Sequence, residues 1–237
     1  MDPYLSEQEQ IEAIKSWWRR HGNRLLIALA LVLAAYWGWQ LWQKQQTESQ
    51  AKAATLYQNM EQAYLLAQKS DKEQREQQLA TFRHLAEQLK SDYPTHGYAR
   101  FAAWMLAKSA VEKEDYQAAE KELEWVLAHL DMGWRKGEDT ISAAISRLRL
   151  AQLKLAQKQF DAALAQLDLV SDSAFEVRQA ELRGDVLMAK GDTAGAVDAY
   201  TRALAATTVD DPLRGLTEMK LDDAKSRLPQ PQTEQKP

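Results

Sequence analysis

Four histidines are the side chains of this sequence best suited to bind a metal ion or to move a proton near neutral pH. A helical zinc site would need two of them four residues apart, or a tight group of histidines and carboxylates. Neither arrangement occurs, because the four lie far apart in the sequence: His21, His84, His96 and His129. We therefore expect no metal site, and we interpret the histidines as structural or solvated residues.

Other chemical signatures are equally sparse. The chain has no cysteine, which excludes disulfides, thiolate zinc sites and cysteine nucleophiles. The carboxylates alternate with basic residues, as in residues 112–114 (Glu-Lys-Glu), which is typical of a solvated helix surface. The sequence contains no glycine-rich phosphate loop and no Gly-x-Ser-x-Gly motif. We predict that the protein is not an enzyme, with no catalytic residue and no cofactor. A net charge of −4 also argues against nucleic-acid binding.

The most specific segment of the sequence is apolar. Residues 25–42 read LLIALALVLAAYWGWQLW and contain no charged residue. At 1.5 Å per residue this helix would span about 27 Å, close to the thickness of a bilayer core. A buried helix of a soluble core and a cleaved signal peptide are the alternatives. The nearest small-x-small triplet, residues 51–53, lies far downstream, which favours an uncleaved anchor.

Basic residues set the orientation of this anchor. Lys15, Arg19, Arg20 and Arg24 precede it, whereas only Lys44 and Lys52 follow within a similar distance. We predict a short cytoplasmic segment over residues 1–24, a transmembrane helix over 25–42, and a periplasmic domain over 43–227. An Ile/Trp stripe within the first segment predicts a short helix lying on the cytoplasmic leaflet. Residues 228–237 (LPQPQTEQKP) have the composition of a disordered tail.

Small residues recur every four positions within the anchor, at Ala30, Ala34 and Gly38. This spacing places them on one helix face, where another membrane helix can approach closely. Alanine is common in such helices, so the pattern is equally typical of an unpaired anchor.

The rest of the sequence is rich in helix-forming residues and predicts an all-α fold. One order of residues occurs three times: a small residue, a turn, an aromatic or threonine residue, and a second small residue. The second small residues of the three units are Ala119, Ala163 and Ala196, spaced by 44 and 33 residues. This pattern resembles the tetratricopeptide repeat, whose period is 34 residues and whose helical hairpins stack into a solenoid. The extra residues between units one and two fall in 131–140, residues 43–92 would form an atypical capping hairpin, and a last helix over 212–227 would close the stack. An irregular helical bundle is the alternative.

The repeat resemblance implies a concave groove lined by the first helix of each unit. Counting in phase gives ten candidate partner-binding residues: Phe101, Trp104, Lys108, Ile145, Leu148, Gln152, Arg178, Glu181, Asp185 and Met188. Phe101, Ile145 and Leu148 are equally consistent with core positions.

The N-terminal order of motifs is more specific than the repeats. An acidic start is followed by Ile-Lys-Ser-Trp-Trp (14–18), an expected His-Gly-Asn turn (21–23), the anchor, and Gly-Trp-Gln-Leu-Trp (38–42). Together with the repeats, this order resembles the YfgM-type ancillary subunits of the bacterial SecYEG translocon. The resemblance implies a single-pass inner-membrane protein with a periplasmic repeat domain. It also implies association with the SecYEG translocon and a PpiD-type periplasmic chaperone, help for translocating polypeptides, and no catalytic residues.

Two other functions are compatible with the same architecture. One is a scaffold for another cell-envelope assembly complex. The other is an envelope-stress signalling regulator that acts through residues 1–24.

Overall fold

The computed structural model describes residues 7–132, 135–208, 210–212 and 214–228. Most of these residues are helical, which confirms the all-α prediction. The helices are α1 (Glu7–Lys69), α2 (Lys72–Asp92), α3 (Gly97–Val111), α4 (Tyr116–Ala128), α5 (Thr140–Ala156), α6 (Phe160–Asp168), α7 (Glu176–Lys190), α8 (Thr193–Ala206) and α9 (Arg214–Ser226). Two short strands, β1 (Asp131–Met132) and β2 (Arg135–Glu138), join α4 to α5. The expected tail falls outside the described residues except for Leu228.

The chain divides into two compact units, Met1–Lys52 and Ala53–Pro237, which are described separately. In the first unit, α1 contains an 18-residue window with a mean hydropathy of 1.7, none of it buried, so this helix is long and apolar enough to cross a membrane. The expected turn at residues 21–23 is wrong, because α1 continues through it. The Trp18 ring lies against Gly22, where a Cβ would be 3.2 Å from it. The stripe expected to form a separate short helix is therefore part of α1.

The second compact unit, Ala53–Pro237, begins with the capping hairpin, which is built from the end of α1 and from α2. Met60, Phe82 and Leu89 are completely buried in its core. The charged stretch after Ser70 is a helix start: Asp71 caps α2 by accepting a hydrogen bond from the Gln74 amide at 3.0 Å. The α2 helix ends at Asp92, two residues before Pro94, because the residue preceding proline avoids the α region.

Three helical hairpins follow, α3–α4, α5–α6 and α7–α8, in agreement with the three repeat units. The matched small residues are buried within each hairpin, for example Ala107 and Ala119 in the first and Ala151 and Ala163 in the second. In the third hairpin Gly184 lies against the ring of Tyr200. Small side chains at these positions let the paired helices approach closely, which buries the apolar face that each hairpin presents.

The turns of the three hairpins have the same backbone geometry. Glu114, Lys158 and Gly191 are left-handed, with φ of 59°, 60° and 91°. The next amide then bonds to the carbonyl five residues earlier, as in the Schellman motif. These bonds are Asp115 N to Ala110 O (2.9 Å), Gln159 N to Lys154 O (2.8 Å) and Asp192 N to Leu187 O (2.9 Å).

The extra residues between units one and two form a β-ribbon that the sequence analysis did not predict. Strands β1 and β2 pair antiparallel, with Asp131 opposite Glu138 and Met132 opposite Arg135. Gly133 and Trp134 lie outside the described residues. Asp139 follows the ribbon and caps α5, accepting a hydrogen bond from the Ser142 amide at 2.9 Å. Arg100 of α3 holds the same carboxylate, with Nε 3.2 Å from Oδ2.

Candidate functional site

A pocket of about 620 Å³ lies between the first two repeat units. Helices α3, α4 and α5 form its walls; α3 and α5 are the first helices of repeat units one and two, and α4 is the second helix of unit one. The residues that line it are Phe101, Trp104, Met105, Ala107, Lys108, Val111, Tyr116, Leu123, Ile145, Arg149, Gln152, Leu153 and Ala156.

Trp104 fixes the base of this pocket. Its side chain is buried, and its indole Nε1 donates a hydrogen bond of 2.9 Å to Oγ of Ser146, which is also buried. This bond ties α3 to α5 and sets the orientation of the indole ring. Leu123 and Leu153 are buried beside it in the same cluster. The base is thus a rigid apolar surface.

Aromatic rings continue from the base toward solvent. Phe101 meets the Trp104 ring edge-on, with centroids 5.3 Å apart at an interplanar angle of 82°. Tyr57 of α1 lies 6.1 Å from Phe101 and 5.3 Å from Tyr98, measured between centroids. Phe101 is 49% exposed, so a large apolar surface remains accessible at the mouth of the pocket.

Two cations line the pocket, Lys108 from α3 and Arg149 from α5. The Arg149 guanidinium carbon lies 5.0 Å from the centroid of the Trp104 ring, in the geometry of a cation–π interaction. Partial burial lowers the pKa of Arg149, although not enough to remove the charge at neutral pH. On α3, the Lys108 Nζ lies 5.3 Å from the Tyr64 ring centroid and 3.9 Å from the Glu112 carboxylate. Both are exposed side chains that a bound molecule could contact.

Of the predicted groove residues, five line this pocket: Phe101, Trp104, Lys108, Ile145 and Gln152. Leu148 does not. It is 7% exposed and packs in the core with Ala163, Leu182 and other residues of units two and three. Positions 148 and 149 are both one turn from Ile145, and the side chain of Arg149 faces the pocket instead. Helical spacing alone does not distinguish the two positions.

The four predicted residues of unit three lie outside the pocket and contact α9 or its neighbours. Glu181 is buried and pairs with Lys220 of α9 at 2.9 Å and with Arg178 at 2.7 Å. Lys220 also lies 2.9 Å from Asp185, whose other oxygen accepts the Tyr200 hydroxyl at 2.8 Å. Met188 packs against a cluster that includes Tyr200 and Leu221 of α9. The structure therefore uses these side chains to attach the last helix.

The electrostatics of this attachment favour the charged pair. Burial alone would raise the pKa of Glu181, but hydrogen bonds and charges from Lys220 and Arg178 outweigh it, so the pKa lies below its ordinary value. Burial alone would lower the pKa of Lys220, and its two carboxylate partners raise it instead. Both groups are therefore ionised at neutral pH.

No group of three histidine or carboxylate side chains in the described part of the chain is arranged to hold a metal ion. His129 stacks on Trp125 with centroids 4.0 Å apart, and its Nδ1 lies 2.8 Å from the Trp125 carbonyl oxygen. Burial, with a smaller effect from Arg100, lowers the pKa of His96. These two histidines occupy packing positions.

Comparison with known proteins gives the family. The model of the tetratricopeptide repeat-like domain family matches residues 15–226. Three similar proteins carry the name ancillary SecYEG translocon subunit. The protein of Neisseria gonorrhoeae is 31% identical over 225 residues (95% of this chain and 100% of the relative). That of Escherichia coli K12 is 30% identical over 223 residues (94% and 98%). That of Haemophilus influenzae is 30% identical over 199 residues (84% and 89%).

The chain belongs to the family of ancillary SecYEG translocon subunits. The region that the family model matches extends from α1 to the last residue of α9, so the family relationship covers both the apolar helix and the repeats.

Sequence reasoning missed several pocket residues of this family member, of which Arg149 is the most informative. A second count from Ile145, by four residues instead of three, would have included it. Tyr116 was recognised only as the aromatic residue after a turn, yet it also lines the pocket. The contact of Tyr57 with Phe101, beside the pocket, could not be predicted, because it depends on how the end of α1 packs against α3.

Proposed function

We propose that this chain is a non-enzymatic, membrane-anchored accessory subunit of the bacterial SecYEG translocon. It would assist proteins entering the periplasm together with a PpiD-type membrane-anchored chaperone. The names of relatives that align over most of the chain carry this proposal. The apolar stretch of α1 supports it, since a translocon accessory must be held at the membrane.

The proposed topology follows from the distribution of charge. Residues 25–42 span the inner membrane, with residues 1–24 in the cytoplasm and residues 43–227 in the periplasm. The four basic residues before the span and the sparse ones after it support this orientation. Tyr36, Trp37, Trp39 and Trp42 are exposed or partly exposed aromatic residues at the proposed outer end, where such rings prefer the membrane interface.

Two surfaces would engage partners. Ala30, Ala34 and Gly38 form a face of small residues within the membrane, and a Cβ built on Gly38 meets no atom within 4 Å. Membrane helices of the translocon or of the chaperone could pack closely there. In the periplasm, the pocket of α3, α4 and α5 would receive a polypeptide segment.

Photo-crosslinking in intact cells tests the proposal. A photoreactive residue at Ala34 should crosslink to membrane helices of the translocon or chaperone, and one at Phe101 to periplasmic polypeptides. Val32 is the matched control, because two residues along a helix rotate the side chain by about 200°, away from the proposed interface. Crosslinks to an unrelated envelope complex would refute the translocon role and favour the scaffold alternative. Crosslinks confined to probes in residues 11–20 would favour the signalling alternative.

A further inference from the structure

We propose that the pocket of α3, α4 and α5 binds an internal polypeptide segment in which a bulky apolar side chain stands next to an acidic one. This inference deepens the proposed function, because it names the chemistry of the segment that the periplasmic domain receives. It rests on the shape and the charge of the pocket lining.

The size of the pocket corresponds to a short segment. Its lining extends along α3 from Phe101 to Val111, a distance of about 15 Å at 1.5 Å per residue. An extended chain covers this distance with four or five residues at about 3.3 Å each. Phe101 and Val111 are 49% and 44% exposed, so both ends of this lining face solvent. A polypeptide can therefore continue beyond the pocket in both directions, as an internal segment must.

The apolar base of the pocket favours a bound segment with a large apolar side chain, which would act as its anchor in the pocket. Trp104, Leu123 and Leu153 form a base that is already fixed by packing and by the Trp104–Ser146 hydrogen bond. A preformed apolar pocket of this kind binds an aromatic or large aliphatic side chain with little ordering of the protein. Phe101 extends the contact area toward the mouth.

The charge of the lining favours an acidic side chain next to this apolar side chain in the bound segment. The lining contains two cations, Lys108 and Arg149, and no carboxylate among its described residues. This local excess of positive charge occurs in a chain of net charge −4. The nearest carboxylate to Lys108 is Glu112, which also accepts a hydrogen bond of 2.8 Å from the Tyr64 hydroxyl. An acidic side chain beside the apolar anchor would lie between the two cationic walls, and the Gln152 amide could bond to its backbone.

Anisotropy measurements with the full chain in phosphatidylcholine nanodiscs test this inference. The probe is a labelled peptide, acetyl-Gly-Ser-Glu-Trp-Glu-Ser-Gly-amide, blocked at both termini, and empty nanodiscs supply the background. We expect saturable binding that weakens about fivefold for each ion pair lost, and therefore about 25-fold when both glutamates become glutamines. Replacing the tryptophan by alanine should weaken binding further, since it removes the anchor.

Matched variants locate the binding. Arg149→Gln should weaken binding of the acidic peptide about fivefold more than binding of the glutamine peptide, and this difference isolates the charge from the packing of Arg149 on Trp104. Arg147→Gln removes the same charge from the same helix but at a position outside the lining, so binding should be unchanged. Lys108→Gln should act like Arg149→Gln. Both variants keep the Trp104–Ser146 hydrogen bond that orients the base of the pocket.

Three results would overturn the inference. The first is the absence of binding by every peptide, and the second is equal binding of the acidic and glutamine peptides. The third is binding that requires a free C-terminal carboxylate, measured with an unblocked glutamine peptide, because the pocket would then recognise chain ends. Failure here with crosslinks from Ala34 to the translocon intact would leave the accessory role standing. Peptide binding without such crosslinks would refute the accessory role alone.

Discussion

Replacing Lys158 by glycine should stabilise the repeat domain. Lys158 occupies the turn of the second hairpin with a φ of 60°, and Gly191 occupies the equivalent turn of the third with a φ of 91°. A side chain with a Cβ is strained in this left-handed region, whereas glycine is not. The two turns also share their hydrogen bonds, so the third hairpin shows that glycine fits this geometry.

The magnitude follows from two opposing terms. Relief of left-handed strain contributes about 1–2 kcal/mol. The greater freedom of glycine in the unfolded chain costs about 0.4–1 kcal/mol. The midpoints of the two terms give a net gain in the free energy of unfolding of about 0.8 kcal/mol, which raises the melting temperature of a domain of this size by about 2–3 °C.

Thermal unfolding of the full chain in detergent micelles, followed by circular dichroism at about 222 nm, measures this shift. Lys158→Ala is the matched control, because it removes the same charge but keeps the Cβ and therefore the strain. Gly191→Ala supplies the reverse test: no atom lies within 4 Å of the added Cβ, so its destabilisation would be conformational alone. If Lys158→Gly melts no higher than Lys158→Ala, strain at this turn does not limit stability and the reasoning is wrong.

Three further predictions concern Gly184 of the third hairpin and the carboxylates of Glu181 and Glu122. A Cβ on Gly184 would overlap the buried Tyr200 ring, so Gly184→Ala should lower the free energy of unfolding by about 1–3 kcal/mol. Gly215→Ala adds its Cβ in open space and should not. Equal melting temperatures in the two variants would contradict this. Glu181 has a lowered pKa, so its stabilisation is present above the unfolded value of 4.5 and is lost as the pH falls through the folded pKa. The stability difference between the native chain and Glu181→Gln should therefore shrink in acid, measured by urea unfolding between about pH 3 and 6. Burial raises the pKa of Glu122 despite its bond to Lys90, so Glu122→Gln should show the opposite pH trend, and parallel trends would refute both assignments.

The helical hairpins could be predicted because their signals are local. The spacing of Ala119, Ala163 and Ala196 reports where two helices must approach closely, and all three are completely buried. The glycine at position 191 marks one left-handed turn. At Glu114 and Lys158 the same turn forms without glycine, which shows that packing of the hairpins outweighs a local preference of about 1–2 kcal/mol.

Features that depend on contacts between distant segments could not be predicted in this way. The segment that forms the β-ribbon after α4 has no β-branched run and no Asn-Gly turn, so its sequence does not predict strands. Leu148 and Arg149 differ by one position, and only the packing of α6 and α7 against α5 decides which of them is buried. Lys220 pairs with Glu181 across 39 residues, a contact that helical periodicity does not encode.

The position of the pocket coincides with an irregularity that is visible in the sequence. Units two and three are 33 residues apart, and at their junction Leu148, Leu182 and Val186 join one buried cluster. Units one and two are 44 residues apart, and the pocket lies at this junction. Apolar side chains are buried at this junction too, since Leu150 and Leu153 of α5 share a cluster with Trp104 of α3. The surface of unit three is in turn occupied by α9 through Lys220. The pocket therefore lies at the junction with the longer spacing, and the in-phase count of the repeats had placed five of its lining residues.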